Sequence, residues 1–280
     1  MKSPRSIRLI ALDVDGTLLT DGKELPAVNR EALHAAQAKG VHIAIATGRM
    51  IPSIEPIEEL LGMDCALIAY NGAKVVTPRA EGRECIQHKP LDPGLAGRLL
   101  VFARDGGYLL NFYIDDVLYA EEPVSEEGRR LAEIYATRTG AKYHFTDLDR
   151  FAGRSPTKAI LLADPQERDR LWEHFRAELD GQATVTRSDP EYLEFMARDV
   201  NKGTALPVLA GHFGISTSEI LAMGDADNDQ ELLEQAGLGV AVANARDVAK
   251  KAARFVTRRT SAEGAVAEAV ERWVLGKEPW

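Results

Sequence analysis

The sequence predicts an α/β fold with a parallel-sheet core and a large inserted α+β domain. In the first and last thirds of the chain, short apolar runs alternate with helical spacing of apolar residues, the pattern of parallel βαβ units with right-handed crossovers. The middle third has short runs that mix apolar and polar residues, which is typical of exposed or half-buried strands, and helical patterns lie between these runs. A length of 280 residues accommodates one large domain or two smaller ones.

The first third begins the predicted core. Ile7–Leu12 is an apolar run that ends at the acidic Asp13, and it predicts the first strand. The elements that follow in the prediction are a helix over Pro26–Lys39, a strand over Val41–Ala46, a helix over Pro52–Leu61 and a strand over Ala66–Tyr70. This β-α-β-α-β order predicts that the strands are parallel.

The last third repeats the alternation. Its predicted helices are Gly203–Phe213, Glu231–Ala236, Arg246–Ala253 and Ala262–Val274, and its predicted strands are Ile220–Met223, Leu238–Val242 and Phe255–Thr257. In the middle, the predicted strands are Arg83–His88, Gly107–Tyr113, Val117–Ala120, Ala159–Ala163, Ala183–Arg187 and Tyr192–Met196. The middle helices are predicted at Gly94–Arg104, Ser125–Arg138 and Gln166–Leu179. We therefore predict a Rossmann-like core over residues 1–85 and 191–280, and an inserted cap over 86–190.

Composition and charge argue against several classes of protein. The 34 basic and 43 acidic residues give a net charge of −9, so nucleic acid is not an expected partner. A phosphate ligand would need a local positive cluster or a metal ion. The polar N-terminal residues and the short apolar run after them predict neither a signal peptide nor a membrane span. Cys65 and Cys85 form no CxxC motif, which favours a reducing cytoplasm over a disulfide framework.

Two carboxylates follow the first predicted strand. Asp13 and Asp15 stand two positions apart at its exit, and Gly16 permits a sharp turn after them. In an open parallel sheet, ligands bind at the carboxyl ends of the strands. Two carboxylates there repel each other unless a proton or a cation compensates, and Mg²⁺ prefers hard oxygen ligands. Taken alone, the motif also fits a cap followed by a plain turn.

Three further motifs lie at strand exits or helix starts. The segment Ala46–Arg49 offers a hydroxyl, a backbone N–H and a guanidinium, which are groups that bind phosphate. Lys202 opens a helix, where its charge opposes the helix dipole unless an anion offsets it. Gly224–Asp229 gathers three acids and an amide, and it places Asp225 at a strand end as a candidate metal ligand. Each motif alone also fits a plain turn or, for Lys202, a solvated side chain.

Together, the four motifs predict one site for Mg²⁺-assisted transfer of a phosphoryl group to a carboxylate nucleophile. Their order and spacing, DVDGT, ATGR, NKG and GDADND, resemble the haloacid dehalogenase (HAD) superfamily over almost the whole chain. The run LDVDGTLL, the segment Asn71–Ala73 and the large insertion resemble its Cof-like sugar-phosphatase branch. This resemblance implies the HAD-like core with its substrate-selecting cap.

The resemblance also implies a role for each matching residue. Asp13 would be the nucleophile that forms an aspartyl-phosphate, and Asp15 would protonate the leaving oxygen and then activate water. Thr47 and Lys202 would complete the catalytic set. The Mg²⁺ would be held by Asp13, by the backbone carbonyl of Asp15 and by Asp225.

Further residues would bind the phosphate or support the site. Thr47, Gly48, Arg49, Lys202 and Asn228 would contact the substrate. Asp229 would brace the metal ligands and Lys202.

The predicted function is therefore Mg²⁺-dependent hydrolysis of small phosphate monoesters, namely sugar phosphates or related metabolites, by a cytoplasmic monomer or homodimer. The first alternative is a phosphomutase that returns the phosphoryl group to a bound product. The second is a phospho-aspartate signalling module, although the acid two residues after the nucleophile favours turnover over storage of the phosphoryl group. Free phosphate release separates the phosphatase from both alternatives.

Overall fold

The structure is a computed structural model that describes residues 6–277. Within this range the chain forms two compact units. The first contains the residues up to Gly48, the segment Ile54–Gln87 and the residues from Asn201 onward. The second contains Arg49–Ser53 and His88–Val200.

The first unit is built on an eight-stranded sheet of order β14-β13-β12-β1-β2-β3-β4-β5. Its strands are β1 (Leu9–Leu12), β2 (His42–Ala46), β3 (Ala66–Ala69), β4 (Lys74–Val76), β5 (Cys85–His88), β12 (Ile220–Gly224), β13 (Leu238–Ala241) and β14 (Phe255–Val256). The pairings from β14 through β3 are parallel, and β4 adds antiparallel to β3. This confirms the predicted parallel sheet.

Helices of the first unit pack on this sheet and on one another. They are α1 (Ala27–Ala38), α2 (Glu55–Leu61), α6 (Lys202–His212), α7 (Gln230–Gln235), α8 (Asp247–Ala252) and α9 (Ala265–Trp273). Helix α1 contacts α9, and α6 contacts α7. Small side chains on the central strands, such as Ala11, Ala44 and Ala66, form a core with Leu206 and Leu209 of α6. The close packing fixes the start of α6 against the sheet.

The second unit is built on a six-stranded sheet of order β10-β11-β9-β6-β7-β8. Its strands are β6 (Leu109–Ile114), β7 (Val117–Ala120), β8 (Tyr143–Phe145), β9 (Lys158–Leu162), β10 (Ala183–Arg187) and β11 (Tyr192–Ala197), and its helices are α3 (Pro93–Gly106), α4 (Glu126–Thr139) and α5 (Pro165–Glu178). The pairings are antiparallel except between β7 and β8. This is the α+β texture expected for the middle of the chain.

The two boundaries between the units lie later than predicted. The second unit begins at His88 rather than at residue 86, and it ends at Val200 rather than at residue 190. The reason for the larger difference is β11, which pairs with β9 and β10 and so belongs to the second sheet. Among residues 6–277, no helix combines the length and apolar character that crossing a membrane requires.

Some element ends also differ from the prediction. The predicted helix over Pro52–Leu61 is divided into a 3₁₀ turn at Ile51–Ser53 and helix α2. The third strand ends one residue early because Tyr70 has a φ of 51°, which begins a turn. The short strands β4 and β8 were not predicted.

Candidate active site

Neighbouring parallel strands bring three predicted motifs to one edge of the sheet. In register, Leu12 of β1 lies beside Met223 of β12 and beside Ile45 of β2. The backbone N–H of Asp13 donates to the carbonyl of Met223 at 3.0 Å. The residues that follow these strand ends are therefore neighbours, as expected for the carboxyl edge of a parallel sheet.

Lys202 joins this edge from the start of α6. Its side chain is fully buried, and its Nζ donates to Oδ1 of Asp13 and to Oδ1 of Asp229, each at 2.6 Å. The alternative prediction, that the side chain of Lys202 is solvated, is therefore wrong. Two carboxylates offset the positive charge that would otherwise oppose the dipole of α6.

The start of α6 is held close to α7 by a glycine. A Cβ on Gly203 would lie 2.4 Å from the carbonyl oxygen of Glu231, so no larger residue fits without movement. Asn201 caps the helix, because its side chain accepts from the N–H of Thr204 at 2.7 Å. Both features fix the residue between them, Lys202, at the site.

Asp229 is held on both of its carboxylate oxygens. Oδ1 accepts from Lys202, while Oδ2 accepts from the backbone N–H groups of Asp225 at 2.9 Å and Ala226 at 3.0 Å. The carboxylate thus orders the loop after β12 and orients the lysine at the same time. Asp229 therefore supports both Lys202 and the loop that carries Asp225.

Asp225, in the loop that follows β12, contacts the first motif. The hydroxyl of Thr17 donates to Oδ1 of Asp225 at 2.9 Å. Gly16 has a φ of +85°, and a Cβ at this position would lie 2.6 Å from Oδ2 of Asp225. Only glycine allows both this backbone conformation and this close approach. The turn at Gly16 was predicted from the sequence. The role of Thr17 was not, although Thr17 lies inside the same DVDGT motif.

Asp15 is directed to a different partner. Its carboxylate forms an ion pair with Lys23 of the turn that follows, and both side chains are partly exposed. Lys23 itself has a φ of 62°, and its backbone N–H donates to the carbonyl of Thr20 at 2.9 Å. Sequence reasoning did not identify Lys23, and no motif there signalled it.

Thr47 and Gly48 lie beside a turn from β3. Thr47 is buried, and its carbonyl accepts from the N–H of Asn71 at 2.9 Å. The side chain of Asn71 accepts from Nδ2 of Asn228 at 3.0 Å, which links the second and fourth motifs. Arg49 begins the short segment, Arg49–Ser53, that belongs to the second compact unit.

The charges around Lys202 are unbalanced. Asp13, Asp225 and Asp229 can each offer an oxygen to a common point, because these atoms lie within 4.8 Å of one another. With Lys202, three carboxylates and one ammonium leave a formal charge of −2 when all are ionised. Burying that charge is costly unless a proton or a cation compensates it.

The pKa shifts express this excess of negative charge. Burial and then the charge of Asp229 raise the pKa of Asp13 well above its ordinary value, while Lys202 opposes them. Burial and then Asp229 likewise raise the pKa of Asp225 to about 6. Burial lowers the pKa of Lys202, but Asp13 and Asp229 more than offset this, so its pKa is raised and it stays protonated. The site therefore favours the uptake of positive charge.

A divalent cation fits this set of donors. Hard carboxylate oxygens suit Mg²⁺ and similar ions, and an ion of charge +2 would neutralise the formal excess. Asp13 and Asp225 are the better ligands, because both oxygens of Asp229 are engaged by hydrogen bonds. The described residues thus include an aspartate cluster able to hold a divalent metal.

Comparison with known proteins identifies the family of the chain. The chain matches the model of the haloacid dehalogenase-like hydrolases over residues 10–270. It is 30% identical to the HMP-PP phosphatase of Citrobacter koseri, with 85% of each chain covered. It is 29% identical to the 5-amino-6-(5-phospho-D-ribitylamino)uracil phosphatase YcsE of Bacillus subtilis, with 96% of each chain covered.

A solved structure extends the agreement to the fold. The crystal structure of a haloacid dehalogenase-like hydrolase from Bacteroides thetaiotaomicron superposes with a TM-score of 0.85 at 29% identity, and it covers 95% of this chain and 99% of its own. The predicted fold class, and the predicted enzyme class of phosphoric monoester hydrolase, are confirmed. The chain belongs to the haloacid dehalogenase-like hydrolases.

Proposed function

We propose that this protein is a Mg²⁺-dependent phosphatase that hydrolyses small phosphate monoesters through an aspartyl-phosphate on Asp13. The observation that carries the proposal is the buried Lys202 between Asp13 and Asp229, with Asp225 close by. A lysine fixed against a buried carboxylate at a strand end suits phosphoryl transfer to that carboxylate, since it offsets the charge of nucleophile and phosphate together.

The reaction takes place in two steps on this chain's own carboxylates. In the first, an Asp13 oxygen bonds to phosphorus while the ester P–O bond breaks, and the leaving oxygen takes a proton from Asp15. In the second, the Asp15 carboxylate takes a proton from water as that water bonds to phosphorus, the bond from phosphorus to Asp13 breaks, and phosphate is released. Asp15 thus acts first as a general acid and then as a general base.

The cation would be held by the Asp13 carboxylate, the backbone carbonyl of Asp15 and Asp225. Asp229 would brace these ligands, which its hydrogen bonds to the N–H groups of Asp225 and Ala226 support. When bound, Mg²⁺ supplies positive charge to the phosphoryl oxygens and polarises the phosphorus centre.

The phosphoryl oxygens would be contacted by Thr47, the backbone of Gly48, Lys202 and Asn228. Arg49, which follows Gly48 in the chain, would also contact the substrate. The second unit itself, residues 88–200 with 49–53, would act as the cap that selects the leaving group.

The substrate class that we propose is a phosphorylated sugar or related small metabolite. The relative YcsE is named for such a compound, a phosphorylated ribitylamino-pyrimidine. The acidic character of the chain is consistent with a small substrate held by a local cluster rather than with a polyanion.

The test is phosphate release from p-nitrophenyl phosphate and a panel of sugar phosphates, with Mg²⁺ and with EDTA. We expect metal-dependent release that Asp13→Asn lowers by at least about 10³-fold, because the nucleophile is lost without a change of shape. Asp180→Asn, at an exposed carboxylate, is the matched control and retains full activity. The proposal would be contradicted if the Asp13→Asn variant still released phosphate. It would also be contradicted if the wild-type protein exchanged isomers without releasing free phosphate.

A further inference from the structure

The turn Tyr70–Gly72, which follows β3, touches three of the four motifs. The N–H of Asn71 donates to the carbonyl of Thr47 at 2.9 Å, and its side chain accepts from Asn228 at 3.0 Å. A Cβ on Gly72 would lie 2.3 Å from the carbonyl oxygen of Asn201, the residue before Lys202. The turn is therefore packed between the segments that carry the predicted phosphate contacts.

Asn71 is in a conformation that needs support. Its φ is 53°, in the left-handed region that residues other than glycine rarely adopt, although asparagine tolerates it best. Only 2% of the residue is exposed, so its amide needs hydrogen-bond partners inside the protein. Strained, buried polar residues of this kind persist where the surroundings require them, and they cluster at functional sites.

The side chain of Asn71 also defines the space beside Gly48. A Cβ on Gly48 would lie 3.1 Å from Oδ1 and 3.2 Å from Nδ2 of Asn71. The same Oδ1 receives the amide of Asn228. The amide of Asn71 therefore borders the space beside Gly48 and bonds to Asn228, and the proposed reaction uses both of these residues.

We propose that Asn71 is a positioning residue of the active site, which holds the Asn228 amide and the Thr47–Gly48 turn where they meet the phosphoryl oxygens. This inference rests on the proposed function. Asn71 acts through these groups and is not itself a catalytic residue. It is also not among the carboxylates of the cation site, so phosphate binding should depend on it while metal binding should not.

The variant Asn71→Gly separates the side chain from the backbone. Glycine adopts a φ near 53° readily, so the turn is kept and only the amide is removed. We expect kcat/KM to fall about tenfold and the inhibition constant of orthovanadate, a mimic of the five-coordinate phosphoryl group, to rise about tenfold, less than the loss of a direct donor. The Kd for Mg²⁺, measured by calorimetry, should be unchanged.

Two comparisons test whether Asn71 acts through Asn228. The double variant Asn71→Gly/Asn228→Ala should lose little more activity than Asn228→Ala alone, because both remove the same contact. Asp116→Gly places a glycine at another left-handed position, φ 61°, in the turn between β6 and β7, and should leave both constants unchanged.

Several outcomes would overturn the inference. Unchanged kcat/KM and vanadate inhibition in Asn71→Gly would show that the amide positions nothing. Fully additive losses in the double variant would show that Asn71 does not position Asn228. A parallel loss of Mg²⁺ affinity and melting temperature would indicate a merely structural role. If the wild-type protein releases no phosphate, or Asp13→Asn remains active, the proposed function fails instead, independently of Asn71.

Discussion

Lys202 in the first unit and Lys158 in the second unit are both buried beside carboxylates, but the charges around them differ. Lys202 lies between Asp13 and Asp229, and the group including Asp225 is negative in sum. Lys158 meets Glu194 at 3.3 Å and faces the ring of Tyr113 at 5.2 Å, and this pair is neutral in sum. A buried lysine therefore does not by itself mark a reactive site. The excess of carboxylates around Lys202 distinguishes it from Lys158, because that excess favours the uptake of a proton or a cation.

The two sheets differ in the same way. Side chains from one face of the second sheet, such as Leu110, Phe112 and Phe195, form an apolar core with α3 and α5. On the other face of the same strands, Asn111 and Glu194 are buried and polar. In the first unit, polar groups instead gather where parallel strands end. The buried charged groups of the first unit thus lie together where parallel strands end, whereas Asn111 and Glu194 of the second unit lie within strands, among apolar neighbours.

Removing each lysine in turn is the strongest way to break this comparison. Lys202→Met should lower turnover by about 10²–10³-fold, as loss of a fixed donor at a phosphoryl group does. It should also tighten Mg²⁺ binding, because the site becomes more negative. Lys158→Met should leave Mg²⁺ affinity unchanged, although each variant should lose about 3–5 kcal/mol of unfolding free energy by stranding a buried carboxylate.

Calorimetric titration with Mg²⁺ and urea denaturation measure these effects in the three proteins. Equal changes of metal affinity in the two variants would show that the cation site does not depend on local charge excess.

The next largest expected effect is on the pH dependence of stability, which sharpens the comparison. In the metal-free protein, the pKa of Asp225 is raised from 3.8 to about 6, so the folded state binds a proton that the unfolded state releases. Its contribution should therefore lower the unfolding free energy as pH rises from about 4 to about 6, by about 3 kcal/mol in all. Since Mg²⁺ competes with this proton, the increase in melting temperature on adding Mg²⁺ should be larger at pH 8 than at pH 5.

The matched variant for this experiment is Asp225→Asn, which cannot titrate at that position. Its Mg²⁺-induced increase in melting temperature should be smaller and should depend less on pH. An increase that is the same at pH 5 and pH 8 in the wild type would contradict the assignment of Asp225 as a metal ligand.

The smallest expected effect concerns the Lys23–Asp15 ion pair. Both side chains are partly exposed, at 53% and 40%, so water and salt screen their attraction. Lys23→Met should change the unfolding free energy by less than about 1 kcal/mol, as urea denaturation would measure. A loss as large as that of Lys202→Met would show that this exposed pair contributes to stability as a buried one does.

The positions of Asp13 and Asp225 were predictable from the sequence because both residues follow buried strands. The apolar runs before Asp13 and Asp225, and the parallel order of the strands, were enough to place these two carboxylates at one edge. The contact between Asn71 and Asn228 was not predictable, because these residues are 157 positions apart and no local pattern joins them.

Two failures of prediction have simple physical causes. Strands β4 and β8 contain three residues each, too few for an alternating pattern to appear. Strand β11 is apolar at most of its positions, and such a run does not indicate which of two sheets the strand joins. This ambiguity explains why the boundary was predicted at residue 190, whereas the second unit ends at Val200.

The central claim is that Asp13 carries the phosphoryl group during turnover. The most direct test is to add borohydride during steady-state hydrolysis of p-nitrophenyl phosphate with Mg²⁺, which reduces an acyl phosphate to an alcohol, and to identify the altered residue by peptide mass spectrometry. We predict conversion of Asp13 to homoserine, only with substrate and Mg²⁺ present, and no conversion of Asp15 or Asp225. Continued phosphate release without modification of Asp13 would contradict the account.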